Sequence, residues 1–415
     1  MKQIARNPVL PVSVCVADGE PHVFGDRVYL FGSHDKPGGE SFCLKDYEFF
    51  SAPLNDLSDW TSHGTNYSAK QDPLYGENAK YLYAPDVVRG NDGRYYLYYC
   101  LAGWKGKGGY SHPISVAVCD TPDGKYEYYG MVKKQDGMLT LKELPKRIAD
   151  TSDFKGHTFF EGSSIRKIGD TYYFVYSSEK NHELCYATSN FPDRDFHFRG
   201  TLVSNGDVGY HGRTERKRCN ATGTTHGGME QIGDKWYIFY HRLTHGSDYS
   251  RQMCAEQIEI MPDGSIAQVE MTSRGLNNSD LPGVGEYPAA ICCNLTNGKM
   301  PHIANRSCKD IPCITHSGEE YFVGYAAKGT QIMYKYFSVT DGTELYVTAR
   351  GTGKLQVYLN NNCIGDMSFH EAEWKTKELR IGTSYKHAEI KLFVKAGKLD
   401  VLSLGFGRFL WEKNY

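Results

Sequence analysis

Four times along the chain a tight turn of Gly and Asp is followed by a short strand dense in aromatic residues. The copies are Gly25-Asp26 before Val28-Tyr29-Leu30-Phe31 and Asp92-Gly93 before Tyr95-Tyr96-Leu97-Tyr98-Tyr99. The other two are Gly169-Asp170 before Tyr172-Tyr173-Phe174-Val175-Tyr176 and Gly233-Asp234 before Trp236-Tyr237-Ile238-Phe239-Tyr240. Gly beside Asp supplies the positive φ that a two-residue hairpin needs, and aromatic and β-branched residues suit a pleated, half-buried surface. A repeat of this kind predicts the blades of a β-propeller. Counting back seven or eight residues from each turn glycine reaches an ionisable side chain: Asp18, Asp86, Glu161 and His226. Matching positions in successive blades ring a central channel. Three carboxylates and a histidine are therefore expected to meet at one end of one funnel, as an active site.

With 415 residues, 31 Tyr and 44 Gly, and no long stretch of helical apolar period, the expected class is all-β with room for two domains. Residues 1–285 are assigned to a five-bladed β-propeller. Its blades are expected from about Asp18 to Leu54, Tyr83 to Met131, Phe159 to Val203 and His226 to Ile260, with a fifth beginning at Pro262-Asp263-Gly264. Asn7-Pro8-Val9-Leu10-Pro11 is expected to help close the ring, and the long inserts Asp136 to Lys155 and Asn205 to Thr225 to join the blades. Residues 286–415 show short strands of polar alternation, among them Leu345-Tyr346-Val347-Thr348-Ala349. Turns at Asp341-Gly342, Gly351 to Gly353 and Asn360 to Asn362 separate them, which predicts a jelly-roll β-sandwich.

The formal net charge of −2 leaves no basic surface of the kind nucleic acid demands. The cluster Arg213, Arg216, Lys217, Arg218 reads as a solvated loop. No apolar run is long enough to span a membrane. Met1 to Pro8 lacks the apolar core of a secretory signal. The twelve cysteines have no metal-ligand spacing and read as free thiols, so a reducing cytoplasm is the expected location.

Paired carboxylates across a funnel suit glycoside hydrolysis, in which one must be ionised to activate water and the other protonated to release the leaving group. A third carboxylate nearby holds the acid's pKa up, because like charges disfavour a second ionisation. On Val16-Ala17-Asp18-Gly19-Glu20-Pro21, Tyr83-Ala84-Pro85-Asp86-Val87, Phe160-Glu161-Gly162-Ser163-Ser164 and His226-Gly227-Gly228, the chain resembles glycoside hydrolase family 43. That resemblance implies a five-bladed propeller and an inverting mechanism. It implies Asp18 as general base, Glu161 as general acid and Asp86 as the residue tuning the acid's pKa. It also implies His226 on the channel axis near a Ca²⁺ or its water shell, and Arg242 as a substrate contact. The family often has Asp-Pro at the base, whereas here Gly19 and Glu20 intervene. Strand alternation puts Asp18 and Glu20 on one face, and the seven-residue offset selects Asp18.

Tyr83 and Trp104 are candidates for stacking on a sugar, and His34 and Asp35 either line the pocket or close a turn. The C-terminal domain resembles carbohydrate-binding module family 6, with Trp374 and the strand from Leu399 to Phe406 as matching points expected in its core. The expected partner is an oligosaccharide of plant origin, cleaved from its end at α-L-arabinofuranosyl or β-D-xylosyl residues. Galactofuranosidase, galactan-cleaving or arabinan-cleaving activity stands as the alternative within the family. Outside it stand a retaining fructosidase and a non-catalytic carbohydrate-binding propeller.

Overall fold

The computed structural model describes residues 4–74, 80–101, 113–134, 137–138 and 152–407. The chain is almost entirely β. Strands β1 (Val16–Phe24), β2 (Arg27–His34), β3 (Tyr47–Pro53) and β4 (Thr61–Tyr67) form one antiparallel sheet in chain order. The next sheet repeats that order with β5 (Leu82–Arg89), β6 (Tyr95–Leu101), β7 (Ser115–Cys119) and β8 (Glu127–Met131). After the short pair β9 (Lys133–Lys134) and β10 (Gly137–Met138) comes a third sheet. It holds β11 (Phe159–Ile168), β12 (Thr171–Ser178), β13 (Glu183–Ser189) and β14 (His197–Ser204). A fourth has three strands, β15 (Met229–Ile232), β16 (Lys235–Leu243) and β17 (Arg251–Ile258).

The aromatic second strands hold these sheets together through their buried faces. Tyr29 and Phe31 of β2 join a cluster with Val87, Leu97 and Tyr99 of the second sheet. Val28 and Leu30, on the opposite face, pack with Tyr237, Phe239 and Met253 of the fourth. Tyr173 and Val175 of β12 meet Ile238 and Tyr240 of β16. The second sheet thus packs on the first, the first on the fourth and the fourth on the third, a propeller-like arrangement. At the N-terminus the Asn7 side-chain amide donates to the Ala255 and Thr272 carbonyls, and the Val9 N–H donates to Met253. The N-terminal segment therefore lies along β17.

Among the described residues there are four such blades rather than the expected five. The hairpin at Pro262-Asp263-Gly264 is closed by an isolated Ile260–Ile266 bridge. The residues after it lean on the third blade: the Val269 N–H donates to Leu202 and the Gln268 amide to Val208. Most of the first expected insert, residues 139–151, lies outside the described residues.

The C-terminal part forms one continuous nine-stranded sheet. Its strands are β18 (Leu281–Pro282), β19 (Gly285–Pro288), β20 (Asn294–Thr296), β21 (Cys313–Ser317), β22 (Glu320–Ala327), β23 (Gln331–Val339), β24 (Glu344–Leu359), β25 (Asn362–Arg380) and β26 (Tyr385–Gly407). The expected turn at Gly351 to Gly353 lies instead inside β24. There the glycines let backbones approach closely: a Cβ on Gly351 would stand 2.5 Å from the Lys398 carbonyl oxygen. Leu399, Val401, Leu404 and Phe406 lie in the core of this sheet, as expected. Trp374 does not. It is partly exposed, with Arg350 4.2 Å from its ring centre and its indole N–H donating to Glu320 at 3.0 Å.

Candidate active site

The first strand of each of the first three blades carries a bulge, and the acids sit at these bulges. In β1, Ala17 pairs with Ser33 and Glu20 with Phe31, leaving Asp18 and Gly19 against a single residue. In β5 the same excess falls between Tyr83 and Asp86, and in β11 between Glu161 and Ser164. Asp18, Ala84 and Gly162 take positive φ values of 54°, 36° and 75° at matching steps, the kind of strained backbone that gathers at functional sites. Asp18 therefore lies inside its bulge, Asp86 just after its own and Glu161 just before. The three acids are not at equivalent positions, contrary to the offset counted from the turns. That count was misled by the second blade, where Arg89 pairs with Tyr95 and the turn runs from Gly90 to Arg94. The bulge also breaks the alternation that would have put Asp18 and Glu20 on one face.

Asp18 and Glu161 meet around His226. The Asp18 carboxylate is buried, with Oδ1 3.5 Å from His226 Nδ1 and 3.0 Å from Arg251 Nη1. Its own N–H donates to His241 Nδ1 at 3.0 Å, which leaves the His241 proton on Nε2, toward Thr224. Burial pushes the Asp18 carboxyl up, but Arg251 and then His226 and His241 outweigh it and hold it far below the usual range. His226 feels the opposite balance: burial opposes its charge, yet Asp18, then Glu161 and Glu20, raise its pKa. Gly162 makes this meeting possible, since a Cβ there would lie 2.7 Å from the His226 ring. Glu161 is partly buried beside Cys100, whose thiol is pushed up to about 12 by burial and then by the Glu161 charge.

Asp86 belongs to a second charged group that draws on all four blades. His22 Nε2 lies 2.6 Å from Asp86 Oδ1, and the Val87 N–H donates to the same oxygen at 2.7 Å. Arg166 Nη2 reaches Glu20 at 2.8 Å and its Nε lies 3.4 Å from Glu230. The Ser164 hydroxyl donates to Glu20 at 2.6 Å. Although ringed by charged partners, Asp86 keeps 48% of its side chain open. Burial raises its pKa, but His22 first and then Arg166 bring it below the usual value. Glu20 goes the other way: burial dominates, Arg166 opposes, and the Asp86 charge adds to the rise. The arrangement holds unlike carboxyls: Asp18 and Asp86 are drawn below the usual range and Glu20 above it.

The remaining candidates divide. Tyr83 borders Asp18, whose charge joins burial in raising its phenol. His34 is buried, 3.6 Å from Glu48, with its pKa lowered to about 4 chiefly by burial. Asp35 does not line a pocket. It is wholly buried and anchors Arg251, accepting from Nε at 2.8 Å and Nη2 at 2.9 Å. Arg242 is also removed from the funnel: it is buried and donates to the Cys292 and Cys293 carbonyls at 2.8 and 2.7 Å, pinning the C-terminal part to β16. Trp104 lies outside the described residues. His226 has beside it a carboxylate oxygen already paired with Arg251. A hard cation that takes six to eight oxygens does not fit there directly, because the guanidinium already supplies the positive charge. Sequence reasoning missed Arg251, His22, Arg166 and Glu230. Only His22 carried a signal, lying two residues from Glu20 on an alternating strand.

Carboxyls of opposed proton affinity thus lie close together among the propeller-like blades, the kind of pairing that glycoside hydrolysis uses. The model of glycosyl hydrolases family 43 matches residues 5–141. A xylosidase/arabinosidase of Thermoclostridium stercorarium is 43% identical over 355 residues, spanning 72% of this chain and 74% of that protein. A xylosidase/arabinosidase of Bacteroides ovatus is 26% identical over 328 residues, spanning 61% of this chain and 95% of that protein. The family 43 enzyme from Xanthomonas citri, solved in complex with xylotriose, shares the fold at a TM-score of 0.51 and 21% identity, over 66% of this chain and 96% of that one. The chain belongs to glycosyl hydrolase family 43 and is a glycoside hydrolase.

Proposed function

We propose that the protein is an exo-acting, inverting glycosidase that removes terminal α-L-arabinofuranosyl or β-D-xylosyl residues from plant-derived oligosaccharides. The observation that carries this reading is the meeting of Asp18 and Glu161 around His226, with Asp18 held ionised by Arg251. In this reading Asp18 takes a proton from water as it attacks the anomeric carbon, and Glu161 gives its proton to the departing oxygen. The negative charge of Asp86 keeps that proton on Glu161 until the bond stretches. The relatives named xylosidase/arabinosidase support the choice of sugars. We further assign residues 1–285 to the catalytic part and the C-terminal sheet to a packing role, which Arg242 at the seam supports. A fifth blade would have to be completed by residues 260–271 together with the N-terminal segment along β17.

The test is release from aryl arabinofuranoside, xyloside and galactofuranoside and from the matching disaccharides, with the first-formed anomer followed by NMR. Inversion at an arabinofuranoside or xyloside is expected. Asp18→Asn is expected to lose several orders of magnitude on every substrate. Glu161→Gln should lose far more on disaccharides than on aryl glycosides, whose leaving groups need little protonation. Retention of configuration, or disaccharide hydrolysis by Glu161→Gln at the wild-type rate, refutes the proposal.

A further inference from the structure

The charged group around Asp86 contains a histidine, His22, with no part in the reaction proposed above. His22 stands two residues after Glu20 on β1. Its ring stacks on Phe24 at 5.6 Å and 10° and leans against Phe31 at 6.0 Å. This packing fixes the plane of the imidazole and points Nε2 at Asp86 Oδ1, 2.6 Å away. The groups that face it are Asp86 from β5, Glu230 from β15 with Oε2 3.9 Å from Nδ1, and Arg166 from β11. Glu20 faces it from its own strand, bound by Arg166 and Ser164. Among the side chains of the described residues, His22 alone donates directly to the Asp86 carboxylate. Arg166 is engaged with Glu20 and Glu230 and acts on Asp86 only through space.

The geometry points to His22 as a positioning residue. It donates its Nε2 proton to Asp86, and so holds that carboxylate ionised and aimed at the channel. This rests on the role given to Asp86 above and adds the group that makes the role possible. A half-open carboxylate beside the buried Glu20 would otherwise take up a proton at a higher pH, and its influence on Glu161 would fade. A hydrogen bond to the charged form lowers a carboxyl pKa, so its loss raises it. Asp18 has its own cation in Arg251 at 3.0 Å, so a change at His22 falls on Asp86.

The experiment is the pH dependence of kcat and KM, on an oligosaccharide, for the wild type, His22→Phe, His22→Gln and Asp86→Asn. Folding is checked by circular dichroism. His22→Phe fills the ring's place and removes the donor. Its acidic limb is expected to move up by about one pH unit, with kcat falling more than KM rises. His22→Gln keeps a donor of similar reach and should restore part of the shift, which a purely structural role would not do. Asp86→Asn should be nearly inactive. Folded His22→Phe and His22→Gln enzymes that both keep the wild-type acidic limb overturn the inference while Asp86→Asn remains inactive. A fully active Asp86→Asn overturns the reading of the site beneath it.

Discussion

Arg251→Met would strand two carboxylates at once. The guanidinium donates to Asp18 at 3.0 Å and to both oxygens of Asp35 at 2.8 and 2.9 Å, and Asp35 is wholly buried. Removing one partner of a buried pair costs about 3–5 kcal/mol, because the remaining charge has no water to return to. For a cooperative unit of a few hundred residues that corresponds to a fall in Tm on the order of 5–10 °C. The pH dependence separates this cause from lost packing. Burial already raises the Asp35 carboxyl above its ordinary value, and without Arg251 it would rise further. A group whose folded pKa lies above its unfolded one contributes stability at low pH and loses it as pH rises through the folded value. Asp18 in the wild type is the reverse: its depressed pKa contributes stability above the ordinary carboxylate range and loses it on acidification. The Asp35 term makes the gap between wild type and variant wide at pH 7 and narrower toward pH 5, and the Asp18 term narrows it further only below the ordinary carboxylate range. Freed of Arg251, Asp18 takes up a proton at a higher pH, so the acidic limb of activity should also move up. Thermal unfolding at several pH values, with matching pH–rate profiles, provides the assay. A Tm loss that is the same at pH 7 and pH 5, or an unmoved acidic limb, refutes the reasoning.

Three further outcomes are expected. Gly162→Ala places a Cβ 2.7 Å from the His226 ring at a φ of 75°. It should lower kcat by on the order of 100-fold through misplaced groups, with a stability loss of about 1–2 kcal/mol; wild-type turnover would show that the contact is not needed. Arg242→Met, at the seam with the Cys292 and Cys293 carbonyls, should lower Tm while leaving KM for oligosaccharide unchanged, and a selective rise in KM would place this residue in the substrate site after all. Trp374→Ala, which removes the ring beside Arg350, should leave KM for short oligosaccharides unchanged. A marked rise in KM would give the C-terminal sheet a part in binding.

Much of the fold was legible because hairpin chemistry is local. Gly beside Asp, followed by alternating aromatic residues, dictates a turn and a strand wherever the chain places it, and four blades follow from four such signals. Long-range pairing left no comparable trace. Gly351 and Gly353 look like turn residues, yet they lie within a strand of sixteen residues because they let it pass close to Lys398. The third turn of the C-terminal part, at Asn360 and Asn361, was local and is found where expected, between β24 and β25.

The site divides in the same way. Spacing singled out Asp18, Asp86, Glu161 and His226, since each stands near the start of a blade; the structure gathers Asp18 and Glu161 around His226 and sets Asp86 against His22. Their phases along the bulges, and the cations that set their charges, were decided by tertiary structure. Arg251 reaches Asp18 from 233 residues away, and Arg166 reaches Glu20 from another blade. Arg242 had the more suggestive sequence context and was drawn to the seam. Which arginine neutralises a buried carboxylate depends on which side of which strand faces the axis. Hydrogen-bond register and a one-residue bulge set that, and neither is written in the local sequence.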